Sequence, residues 1–196
     1  MKKNLLIGAF ALLGFAASAQ TEKGSWVVGG STSIGFNNVS TKVKSGNTTF
    51  DGPKVNTFTI APSAGYFVID KLSVGLDLAY TNATTKYDGA KTTSNTFAIL
   101  PTATYYFTDN TVIKPYLGAG IGYASNTEKE EYRGKSNEYT VDGFAWKVKG
   151  GFAYFFTPSI AADLGLSYSQ FSNKDNGVRT NVNTFGVGVG LSVFFK

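Results

Sequence analysis

Enzymatic acid–base and nucleophilic chemistry leans on histidine and cysteine, and this 196-residue sequence contains neither. A Ser-His-Asp relay therefore lacks its base, and zinc sites built on His or Cys lack their ligands. Disulfides and a lipid-bearing cysteine are excluded on the same ground. No catalytic, cofactor-binding or metal-ligating residue is assigned, and no cofactor is expected. Two glycine runs, Gly118-Ala119-Gly120-Ile121-Gly122 and Gly186-Val187-Gly188-Val189-Gly190, resemble phosphate loops in spacing. No helix follows either, so the nucleotide-binding reading fails. What remains is five charges set among small or apolar neighbours: Asp77, Lys114, Lys147, Lys149 and Asp163. Charges withdrawn from water need partners or hydration. They read either as the lining of an ion-selective passage or as an internal salt-bridge network, and a narrow interior favours the network.

The elements that must position these charges show in the periodicity. Side chains alternate faces along a strand, and eight segments of this chain separate cleanly into two faces. One segment sets Phe144, Trp146, Val148, Gly150, Phe152, Tyr154 and Phe156 against Ala145, Lys147, Lys149, Gly151, Ala153 and Phe155. Another sets Phe185, Val187, Val189, Leu191, Val193 and Phe195 against Thr184, Gly186, Gly188, Gly190, Ser192 and Phe194. In all eight, one face is apolar and uncharged, while the other is small, polar or glycine and holds all five charges. Glycine suits the crowded inside of a tight cylinder, so the apolar face is the outer one and its solvent is lipid. In lipid only a closed barrel satisfies the backbone of every strand. The expected fold is all-β: an eight-stranded antiparallel up-and-down transmembrane β-barrel. Its strands are expected near 24–36, 56–69, 72–82, 95–107, 112–124, 141–156, 159–171 and 182–195. Pro62, Pro101 and Pro115 lie on the outward face, where a missing N–H predicts bulges or kinks.

Residues 1–19 read as a signal peptide: Lys2 and Lys3, an uncharged run from Leu5 to Ala17, then Ala17-Ser18-Ala19. Cleavage is expected between Ala19 and Gln20, leaving one barrel domain over 20–196. Removing the two lysines leaves 16 basic against 13 acidic residues, a net charge of +3 that does not argue for nucleic acid. Connections alternate in length. Asp70-Lys71, Thr108 to Thr111 and Thr157-Pro158 are short, whereas 37–55, 82–94, 125–140 and 172–181 read as long polar loops. Barrels of the outer membrane have short periplasmic turns and longer outer loops, which sets the orientation. Phe67, Tyr106, Tyr116, Phe155 and Phe194 are then large inward rings near the periplasmic end, an expected plug.

The Met1-Lys2-Lys3 start with Ala17-Ser18-Ala19-Gln20, and the Pro62-Ser63-Ala64-Gly65-Tyr66-Phe67 hairpin, resemble the OmpA/OmpX-like small outer membrane β-barrel family, particularly its Bacteroidetes-type members. The likeness covers the whole mature chain. The last strand, ending on Phe195, resembles the family's assembly signal, although Lys196 follows the aromatic residue. The resemblance implies the cell outer membrane as location. It implies outer membrane lipids and lipopolysaccharide as surroundings, and recognition of the C-terminal strand by the barrel assembly machinery. The expected function is non-enzymatic: a closed, side-chain-filled barrel, structural or binding an unidentified surface ligand through its outer loops. The alternative is a narrow OmpW-like channel for small solutes.

Overall fold

The structure is a computed structural model, and it describes residues 21–30, 35–45, 48–109, 112–175 and 178–196. The expected signal peptide and its cleavage site at Ala19–Gln20 lie outside the described residues. Ten strands follow one another: β1 (Trp26–Gly30), β2 (Gly35–Ser45), β3 (Thr48–Ile60), β4 (Ser63–Ile69), β5 (Leu72–Tyr87), β6 (Ala90–Tyr106), β7 (Ile113–Tyr132), β8 (Lys135–Thr157), β9 (Ile160–Asp175) and β10 (Val178–Phe195). Every pairing is antiparallel. β3 and β4 both pair with β5, and β1 and β2 pair with β4 and β3, so these four strands supply two staves of the barrel. β1 closes the ring on β10. The result is the expected eight-stave barrel.

Its geometry follows from the register. From Phe195, successive partners are Trp26, Tyr66, Val74, Ala103, Ala119, Val148, Tyr168 and Phe185, which lies on the starting strand ten residues away. Eight strands with a stagger of ten residues tilt by roughly 40° and enclose a backbone cylinder of about 8 Å radius. Every residue on that path belongs to the apolar face. Leu164, Ile121 and Val189 on the same face are 55%, 62% and 69% exposed, as lipid contacts should be. The opposite face supplies the core.

The bulges expected at the prolines do not appear in the register. Pro62 interrupts the strand between β3 and β4, yet Leu78 N–H still donates to its carbonyl at 2.9 Å and the register against β5 is unchanged. Pro101 leaves the ladder to β7 unpaired from Leu100 to Pro101 without a register shift, and Pro115 stays in register with Phe152. Neither carries a bulge, because a lost N–H can be absorbed without an inserted residue. The bulges fall instead at Phe67/Ile69 and Phe155/Thr157, beside the short turns, and at Ser40/Lys42.

The polar stretches that read as loops are β-hairpins that prolong the barrel past the membrane. β5 and β6 run up to Asp88-Gly89, with φ of 46° and 74°, and β7 and β8 run up to Arg133-Gly134, with φ of 48° and 80°. Positive φ at both central residues defines the type I′ turn whose twist matches the flanking strands. β8 reaches 23 residues, about twice what a tilted strand needs to cross. Among the described residues, β8 and β9 stop pairing beyond Phe144 and Ser172.

Candidate functional site

The interior is layered. At the short-turn end Phe67, Tyr106, Tyr116, Phe155 and Phe194 form one cluster with Ala153 and Ala161, and none of the five rings is more than 6% exposed. Phe194 stands against Phe155 at 4.9 Å between ring centres, and against Phe67 and Tyr106 at 6.2 and 6.1 Å. Tyr106 in turn tilts onto Tyr116 at 5.8 Å. Inward-facing positions of β4, β6, β7, β8 and β10 supply one ring each, so alternation alone brings them together. Burial of each such ring is worth about 2–3 kcal/mol.

Residues 21–25 are laced beneath this cluster. Gly24 N–H donates to Phe67 O at 2.9 Å, Lys71 N–H to Thr21 O at 2.7 Å and Lys23 N–H to Asp70 Oδ1 at 2.8 Å. The two neighbouring short turns are tied by Lys71 Nζ–Asp109 Oδ2 at 2.8 Å. That hydrogen bond holds the Asp109 carboxyl below its usual range and raises the Lys71 ammonium.

Further in lies a charge layer. Asp77 on β5 accepts from Lys149 Nζ at 3.0 and 2.9 Å through its two oxygens, and from Lys147 Nζ at 3.4 Å, both on β8 across the lumen. Asp163 on β9 is buried and accepts from Ser192 Oγ rather than from a lysine. Lys114 does not join the Asp77–Lys147–Lys149 set. It is buried near the short turns, with Nζ 3.3 Å from Thr108 O and 6.0 Å from the Phe155 ring centre. The lysine entered β7 at its first inward position, too near the barrel end to reach Asp77. A cavity of about 40 Å³ remains among Asp77, Lys149, Asp163, Thr102, Tyr106 and Tyr116. It has room for about three waters.

A second apolar layer follows on the outer side: Leu100, Ala124 and Ala145, with Ala98 and Phe171 packed against them. It is not foreseen in the sequence reading. Leu100 was legible as a large inward residue in a small-residue face, and Phe171 closes the expected strand 159–171, where it stands opposite Ala145. At the inward glycines of β7 the neighbouring strand β6 approaches closely. A Cβ on Gly118 would come within 2.7 Å of Thr104 Oγ1, on Gly120 within 2.5 Å of Thr102 Cγ2 and on Gly122 within 2.1 Å of Ile99 O. Their space is already taken by β6.

A closed eight-stave cylinder with an apolar outside, aromatic residues at both rims and charged and polar side chains inside defines a transmembrane β-barrel of the outer membrane class. The chain belongs to the outer membrane protein β-barrel domain family, whose model matches residues 5–192. That family places it in the outer membrane. Among solved structures it is similar to Neisserial surface protein A, at 22% identity, 87% of this chain, 97% of that one and a TM-score of 0.55. It is also similar to OprG of Pseudomonas aeruginosa, at 18% identity, 91% and 99% coverage and a TM-score of 0.56. Ail of Yersinia pestis gives 15% identity, 88% and 99% coverage and a TM-score of 0.52. No curated protein sequence matches the chain. At these identities the likeness is one of fold.

Proposed function

We propose that this protein is a non-enzymatic outer membrane barrel with a closed lumen, acting in the outer membrane as a structural or surface-binding protein through its outer hairpins. The observation that carries this reading is the stack of two apolar layers on either side of the Asp77–Lys147–Lys149 clamp. The outer hairpins offer what a partner needs: 16- to 23-residue strands that hold polar side chains rigidly above the membrane. Two proteins of the same fold are described as a surface protein and as an attachment invasion locus protein. In this reading residues 1–19 are removed at Ala19–Gln20, and the assembly machinery engages β10, whose outward face runs Phe185, Val187, Val189, Leu191, Val193 and Phe195.

The narrow-channel alternative rests on the half-buried Gly186, Gly188 and Gly190, which strip one stave of inward side chains. Proteoliposome swelling separates the two. Vesicles carrying the refolded barrel should swell in small sugars no faster than protein-free vesicles. Sugar-size-dependent swelling would move the channel to first place.

A further inference from the structure

On the outward face of β3, β5 and β6 three kinds of side chain succeed one another above the membrane. Phe58, Tyr80 and Phe97 belong to the outer aromatic girdle. Next come Asn56, Asn82 and Asn95. Asn82 Nδ2 donates to Asn95 Oδ1 at 2.8 Å, and Tyr80 O–H donates to the same oxygen at 3.0 Å. Higher still, Lys54 stands directly opposite Lys86, and Lys86 directly opposite Lys91.

Like charges placed opposite one another weaken a sheet, and the chain does little to offset this row. Lys91 is held by Glu131 at 2.9 Å. Among the described residues neither Lys54 nor Lys86 forms an ion pair. All three lysines are exposed and line one open concavity of about 430 Å³, bounded on the side away from the membrane by Gly52, Tyr87 and the Asp88-Gly89 turn. Lys86 is six residues past Tyr80. At the barrel's tilt that sets it about 15 Å above the girdle.

We propose that this face docks the phosphate-bearing sugar head group of an outer-leaflet glycolipid. Acyl chains would lie on the apolar stave faces and sugar hydroxyls against the asparagine row. Phosphate would sit among Lys54, Lys86 and Lys91, where ammonium groups attract an anionic membrane surface. The order apolar, amide, cation along the barrel axis matches the order of groups in such a lipid, which neither a soluble anion nor a nucleic acid requires. The surface is independent of whether the lumen conducts, so failure of the closed-barrel reading would leave it standing.

The test uses the full refolded barrel in neutral phosphatidylcholine nanodiscs, titrated with lipopolysaccharide carrying a phosphorylated core. Folding of each variant is checked by heat-modifiable gel mobility. The combined variant Lys54→Gln, Lys86→Gln, Lys91→Gln should bind about tenfold more weakly or worse. Dephosphorylated lipopolysaccharide should show the same loss on the wild type, and millimolar inorganic phosphate should not compete. The control variant Lys135→Gln, Lys174→Gln, Arg179→Gln removes equal charge elsewhere and should bind like wild type. Equal binding by the row variant, equal loss in the control, or displacement by inorganic phosphate would each overturn the proposal.

Discussion

At the scale of single residues, Asp77 is the hinge of the interior. It answers two ammonium groups that reach across the lumen, and its own side chain is 9% exposed. Removing one partner of a buried ion pair leaves uncompensated charge, which costs more than the pair contributes. Asp77→Asn should therefore destabilise the folded barrel by about 3 kcal/mol, read by urea unfolding in detergent or lipid. Adding Lys147→Met and Lys149→Met to it should restore most of the loss, because a neutral lumen no longer has charge to satisfy. A single variant as stable as wild type would show that water, not Asp77, satisfies these lysines. Much of this layer was legible, since inward charges on alternating strands can only meet in the lumen. Which ones meet was not, since Lys114 and Lys149 share a face while only the depth on the tilted stave decides that Lys149 reaches Asp77.

At the scale of elements, the faces of the staves carry the argument. Leu164 on β9 and its partner Val189 on β10 lie at mid-strand on the lipid side. Leu164→Arg should cost about 2–4 kcal/mol in lipid, checked by unfolding in phospholipid vesicles, and unchanged stability would mean that the faces are inverted. The alternation that marks these faces stops at the aromatic rims, which is why strand ends were not legible. Above the rims both faces are polar, so no pattern distinguishes a threonine-rich hairpin from a loop. Asp88-Gly89 is a strong hairpin dipeptide, and it was the one local signal that could have extended β5 and β6 to their full length. Proline at 101 and 115 misled for another reason: a ladder can lose one hydrogen bond and keep its register.

At the scale of the whole molecule, the tilt of roughly 40° and radius of about 8 Å leave an interior that side chains can fill. The central claim is that they do fill it, and conductance across planar bilayers tests this most directly. The refolded wild type should give no steady ohmic current. The triple variant Phe155→Ala, Phe194→Ala, Leu100→Ala, which empties both apolar layers, should raise the frequency of openings. Steady ohmic current from the wild type, abolished by a bulky side chain at Gly188, would contradict the account and identify the lumen as a conducting path.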